Sequence, residues 1–267
     1  MSSNDINSVL IENRRFDPPS GFVSKARIKA ADLAALNQQA EQDHAGFWAD
    51  QAREYIDWNT PFTKVLDESR APHYRWFEDG VLNVSYNCID RHLAEKADKT
   101  AIIFEGEQGD VTHLSYQQLH DEVCRFANGL KSLGIGKGDR VVIYMPMTAE
   151  AVIAMQACAR IGAIHSVVFG GFSAESLRDR IEDASASAMI TADGGHRGGK
   201  VVELKSAADK ALQERCDSIQ HVVVLKRTGQ DINMQQGRDH WWHDITEDQA
   251  SACEPEWVEA EHPLFLL

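Results

Sequence analysis

Three glycine-rich loops carry the residue types that grip an anion, and chain direction separates them. In ITADGGHRGGKVVEL (190–204), Arg197 and Lys200 stand among four glycines. Arginine offers phosphate a planar fork of donors, and lysine a mobile point charge. An anion is held best where a strand ends and a helix begins, because free N–H groups and the positive end of the helix dipole meet there. A strand ending at Ala192 and a helix over KVVELKSAADKAL (200–212) would give this loop that polarity. A bare flexible loop is the alternative, since glycine and charge also suit irregular turns. In VVFGGFSAESL (167–177), Gly170 and Gly171 leave a strand and Ser173 is placed as a helix N-cap. Either the backbone approaches a ligand there, or the glycines serve only the dihedrals of a tight turn. GIGKGDR (134–140) runs the other way, from helix into strand, and Gly134 reads as a left-handed glycine closing a helix.

The balance of the chain makes a local cluster of positive charge informative. Its 267 residues carry 27 Lys and Arg against 41 Asp and Glu, a net charge of −14, so non-specific nucleic-acid binding is not expected. The apolar content of 43% suits a globular protein with a substantial core. No stretch has the length of a membrane span and no secretion signal opens the chain, which predicts a cytoplasmic protein without membrane contact. Cys88, Cys124, Cys158, Cys216 and Cys253 are scattered without CxxC spacing and are expected as reduced, mostly buried thiols. GRDHWWHD brings His240 and His243 near Asp239 and Asp244, in principle metal ligands. A solvated loop over packed tryptophans is the preferred reading, so no metal site is assigned. His165, within an apolar run, reads as a hydrogen-bonded core histidine. No G-x-S-x-G, H-E-x-x-H or G-x-x-x-x-G-K-[ST] occurs.

The elements that would position these loops divide the chain near residue 97. Residues 1–97 lack strand–helix alternation. AADLAALNQQAEQ (30–42) and DHAGFWADQAREY (43–55) predict two amphipathic helices, the second capped by Asp43. An aromatic stretch follows, with Trp58, Phe62, Tyr74, Trp76 and Phe77, in which HYRWF and VLN suggest a hairpin closed on Asp79-Gly80. This part reads as a lid segment. In 98–267, AIIFEG and VTHL predict paired strands, and LSYQQLHDEVCRFANGLKSLG a helix opened by a Ser115/Gln118 capping box. Strand and helix then alternate from 139 to 226. The fold class is therefore α/β, a layered domain whose mainly parallel sheet is flanked by helices. The helix over 148–162 is apolar nearly all round and is expected to be buried. EHPLFLL (261–267) predicts a strand entering a core, and an ending in four apolar residues suggests an element cut short.

Several of these stretches together resemble one family. FWADQAREYIDWNTPF, WFEDGVLNVSYNCIDRHL, the run from Leu114 to Ile181 and ITADGGHRGGKVVELK are similar to the N-terminal portion of AMP-forming acetyl-CoA synthetases, in the adenylate-forming superfamily. The similarity runs from about residue 20 to the end. It implies a two-step reaction in which acetate attacks Mg2+-bound ATP to give acetyl-adenylate, and CoA then displaces AMP. By the resemblance, Gly171, Arg197, Gly198, Gly199 and Lys200 face CoA, with Arg197 near its 3′-phosphate. Relatives commonly carry arginine where Lys200 stands, which weakens the case for a forked contact there. The resemblance also implies that HPLFLL leads into the ATP phosphate loop, and that the adenylation lysine lies further on. The chain is thus expected to be a truncated first α/β subdomain behind its lid, with no catalytic residue of its own and no activity alone. A propionyl-CoA synthetase, or a non-catalytic flavodoxin-like nucleotide-binding module, are the rival readings.

Overall fold

The computed structural model describes residues 15–213 and 215–267. The chain forms two compact units, one ending at Gln51 and the other spanning Ala52–Leu267. The first contains α1 (Ser20–Lys25), α2 (Ala30–Gln42) and the start of α3 (His44–Tyr55). Asp43 caps α3 as expected, its carboxylate accepting the Gly46 N–H at 2.8 Å.

The second unit opens with three two-residue strands, β1 (Leu66–Asp67), β2 (Arg75–Trp76) and β3 (Val81–Leu82), followed by the short helices α4 (Val84–Cys88) and α5 (Leu93–Lys96). The hairpin expected about Asp79-Gly80 does not form. β2 pairs with β1, whereas β3 pairs with β13 (Val258–Glu259), far along the chain. Asp79 is drawn back instead, its carboxylate accepting the N–H groups of Thr63 and Lys64. Trp58, Phe62 and Phe77 pack ring on ring with centroids 4.5–5.7 Å apart. Fully buried Asn83 ties this region to the body, its amide donating to the carbonyls of Ala159 and Glu256.

The body continues with β4 (Thr100–Glu105), β5 (Val111–Ser115), α6 (Tyr116–Ser132), β6 (Arg140–Met145), α7 (Ala149–Arg160), β7 (Ile164–Phe169), α8 (Ala174–Ala184) and β8 (Ala188–Ala192). Then come β9 (Gly195–Arg197), β10 (Lys200–Val202), α9 (Leu204–Leu212), β11 (His221–Leu225), β12 (Asp239–Trp241), α10 (Trp242–Thr246), β13 and β14 (Phe265–Leu266). Six strands build one parallel sheet in the order β12-β11-β8-β6-β7-β14. Along β6 the side chains alternate between two cores, the period-two pattern of a strand covered on both faces. Val141, Ile143 and Met145 meet α6, α7 and α10, while Val142 and Tyr144 meet α8 and α9. Each large apolar side chain buried this way contributes about 1.5–3 kcal/mol. The Ser115/Gln118 capping box forms at the start of α6, and no residue of α7 is exposed.

Two sequence expectations fail here. GRDHWWHD is not a solvated loop: Asp239–Trp241 is an edge strand of the main sheet and Trp242 opens α10, stacked 3.5 Å from Phe126. Its Asp239 is buried and paired with Lys205 and Arg238, and among the described residues no group of three potential ligands could hold a metal. His165 is buried but its Nδ1 has no hydrogen-bond partner among the described residues; Phe265 of the neighbouring strand β14 lies beside the ring, with centroids 5.9 Å apart. Four cysteines are buried, Cys88 is exposed, and none is in a disulfide. No helix among the described residues is long and apolar enough to cross a membrane.

Candidate functional site

The sheet itself selects where a ligand would sit. From β6 the chain crosses by α7 to β7 on one side, then returns over β6 by α8 to β8 on the other. β6 and β8 are thus neighbours whose onward connections leave on opposite faces, and open α/β sheets hold ligands in the crevice beyond the carboxyl ends of such a pair. A cavity of about 570 Å3 lies there. Its walls come from the ends of β6 (Met145–Thr148) and β7 (Val167–Gly171), from β9 and from the β4–β5 turn, with Arg227 beyond β11.

Gly171 and Arg197 meet in this cavity. The Arg197 guanidinium lies 5.0 Å over the Phe169 ring, and a methyl group at Gly171 would stand 2.7 Å from both its Nη1 and the Phe169 ring edge. Neither Gly170 nor Gly171 has positive φ. The glycines of this loop therefore do not serve a strained turn. They leave room: a Cβ at Gly170 would press on the Met145 carbonyl at 3.1 Å.

The expected strand–loop–helix at Arg197 is a different object. Residues 195–197 and 200–202 form a β-hairpin, in which Arg197 pairs with Lys200 across Gly198 and Gly199 at φ 59° and 72°. Two glycines between short strands make the tight turn that requires left-handed backbone. Helix α9 begins only at Leu204, so it does not start directly after the loop that carries Arg197. Gly195 lets the hairpin cross close over Pro146, where a Cβ would come within 2.9 Å. Gly198, Gly199 and Lys200 sit at the exposed tip, outside the cavity lining.

Charge is distributed unevenly around the cavity. Arg227 is paired with Asp110 at 3.0 Å and lies over Phe104 at 5.5 Å. Arg197 is exposed and has no carboxylate partner among the described residues, in a chain with 14 more acidic than basic side chains (41 − 27). Phenylalanine and methionine walls with one unpaired guanidinium suit a ligand that joins an apolar or aromatic body to an anionic group.

Sequence reasoning missed two supports. Asp193, fully buried at the exit of β8, accepts N–H groups from Gly194, Arg227, Thr228 and Gly229 at 2.7–3.0 Å. Burial alone would raise its carboxyl, but these four donors outweigh it and hold the pKa below the usual value. It fastens the segment carrying Arg227 to the end of β8. Its signal was an acid beside two glycines at a strand end, in ITADGG. Glu107, whose carboxylate accepts from Gly198 N–H at 2.6 Å and Gly199 N–H at 3.3 Å, gave no local signal.

Residues 89–267, well over half of the chain, match the family model described as AMP-binding enzyme. The chain belongs to the AMP-binding enzyme family. Residues 33–88 of this family member match a second model, acetyl-coenzyme A synthetase N-terminus. Curated relatives include the acetyl-coenzyme A synthetases of Thiobacillus denitrificans, 61% identical over 264 residues, and Nitrosomonas europaea, 58% identical over 264 residues. Both alignments take in 98% of this chain and 40% of the relative, so the chain spans about 40% of the length of the curated relatives it matches. Among solved structures, acetoacetyl-CoA synthetase from Streptomyces lividans superposes with a TM-score of 0.80 at 23% identity, over 94% of this chain and 40% of that one. The likeness supports the α/β fold with its parallel sheet.

Proposed function

We propose that the chain is the CoA-facing part of an AMP-forming acetyl-CoA synthetase, an acetate–CoA ligase that converts acetate and ATP to acetyl-adenylate and passes the acetyl group to CoA. Residues 1–97 serve as the N-terminal lid segment and 98–267 as the first subdomain of the adenylate-forming domain. The observation that carries the reading is Arg197, a guanidinium with no carboxylate partner among the described residues, beside Gly171 at the carboxyl edge of the sheet in an acidic protein. It binds the 3′-phosphate of CoA. Gly171 leaves space for the ligand to pass along Phe169, and Lys200, across the hairpin, adds a mobile charge. Gly198 and Gly199 hold the turn that sets Arg197 in place. These residues bind and orient; they do not react, and their contribution is to bring the thiol to the adenylate in a fixed pose. Mg2+ accompanies ATP in this reaction, and no residue of this chain is assigned to it, because no cluster of potential ligands stands among the described residues.

The test separates the two half-reactions in the intact synthetase. A hydrogen bond to a charged group contributes about 1.5–3 kcal/mol, so Arg197→Ala should raise the CoA concentration needed for thioester formation by roughly 10- to 150-fold. Acetate-dependent exchange of pyrophosphate into ATP should hardly change. Equal damage to both half-reactions would make Arg197 a structural residue and remove the assignment.

A further inference from the structure

The turn between β4 and β5 carries two carboxylates near the cavity, Glu107 in its lining and Asp110 on the lining residue Arg227, and both are already in use. Asp110 neutralises Arg227, while Glu107 lays its carboxylate across the adjacent N–H groups of Gly198 and Gly199, Oε1 at 2.6 Å from the first and Oε2 at 3.3 Å from the second. Consecutive N–H groups in a left-handed turn form a concavity suited to anions. Here an anion from the chain itself fills it, 91 residues away in sequence. Glu107 and Arg197 both line the cavity, so an anionic group approaching Arg197 enters a space that already contains a carboxylate.

We propose that Glu107 is an internal competitor for the anionic end of the ligand. It covers the Gly198–Gly199 amides, and an incoming phosphate displaces it and takes over those donors. The contact is a built-in restraint on affinity: its charge opposes binding at Arg197 until it leaves. Glu107 is exposed, so releasing it to water costs little. This inference rests on the reading of Arg197 as a phosphate contact and goes beyond it by assigning the group that phosphate must displace.

The experiment titrates the full chain with adenosine 3′,5′-bisphosphate and, as control, adenosine 5′-monophosphate. Glu107→Gln keeps the shape of the side chain and removes its charge. It should tighten the bisphosphate by about three- to tenfold at low salt, with the gain shrinking as salt screens the repulsion. Binding of the monophosphate should change less than about twofold, as expected for an effect of one screened charge on the missing group. Unchanged or weaker bisphosphate binding in Glu107→Gln would overturn the inference and make Glu107 a brace for the hairpin. Arg197→Ala in the same titration separates the two ideas. If it leaves bisphosphate binding intact, the phosphate reading and this inference fall together; if it weakens binding while Glu107→Gln does not tighten it, the inference falls alone. The wild-type protein gives a readout that needs no variant. Bisphosphate should shift the amide NMR signals of Gly198 and Gly199 as their acceptor changes from carboxylate to phosphate, and unmoved signals would contradict displacement.

Discussion

Arg160, the last residue of α7, is 2% exposed; both Nη atoms reach Asp90 at 2.8 Å and Nε donates to the Cys253 carbonyl at 2.6 Å. Arg197, at the end of β9, is exposed, rests on one aromatic ring and has no carboxylate partner among the described residues. The same guanidinium is thus satisfied within the fold in one place and left over in the other. A buried arginine needs its partners because an unpaired charge in the interior is costly. An exposed one needs none, and its placement beside Gly171 in a cavity is what marks it as available to a ligand. The difference separates a residue that holds the protein together from one that waits for something outside it.

The largest effect that could break this comparison is on stability. Arg160→Ala takes the bidentate partner from the Asp90 carboxylate, leaving His120 at 3.5 Å, and should lower the unfolding free energy by about 3 kcal/mol, read from urea transitions. Arg197→Ala should change it by less than about 0.5 kcal/mol. Similar losses for both would mean that Arg197 is structural. Next, Gly171→Ala places a methyl group where Arg197 and Phe169 now meet. It should weaken CoA binding by roughly tenfold through displacement of the guanidinium, an effect of about 1.4 kcal/mol, measured by titration calorimetry. Gly199→Ala meets no neighbour but holds φ at 72°. It should cost about 1 kcal/mol of stability, with a smaller change in binding.

The smallest expected effect lies in pH dependence around Arg160. Hydrogen bonds to Asp90 and Cys124 hold the His120 imidazole up at about 10, against partial burial; Asp121 also faces the ring. Burial would raise the Asp90 carboxyl, but Arg160 and His120 hold it down at about 2. A histidine whose folded pKa is raised contributes stability fully below its unfolded value of about 6.5. That contribution is lost as pH rises through about 10. Stability should therefore fall by of order 1 kcal/mol between neutral and strongly alkaline pH, and His120→Gln should flatten that limb. An unchanged alkaline limb in the variant would remove His120 from the network.

The sheet was legible because parallel strands covered on both faces read as apolar runs, as in AMITA and HVVVL, with helical periods between them. The hairpin at Arg197 was misread for a reason equally visible in the sequence. Val201, Val202, Leu204 and Ala208 fit a helical stripe, while Gly198-Gly199 between Arg197 and Lys200 has the length and composition of a two-residue turn. Turn chemistry won over periodicity, and α9 started four residues late. Of the two readings open for Gly170-Gly171, room for a close approach and the dihedrals of a turn, the space and the absence of positive φ favour the first, whereas Gly198-Gly199 form a two-residue turn at φ 59° and 72°. GRDHWWHD became a strand and a helical turn because β11 supplies an edge to pair with, which no local window reveals. Glu107 lay beyond reach for the same reason, since its partners are 91 and 92 residues away.

Whether Arg197 meets the 3′-phosphate of CoA is decided by a thermodynamic cycle. Dissociation constants are measured for CoA and 3′-dephospho-CoA with the wild-type synthetase and with Arg197→Ala, four values in all. A coupling of about 1.5–3 kcal/mol between side chain and phosphate is expected, so that the substitution weakens CoA strongly and leaves the dephosphorylated ligand nearly unaffected. If Arg197→Ala penalises both ligands to the same extent, the coupling is zero and the phosphate is held elsewhere.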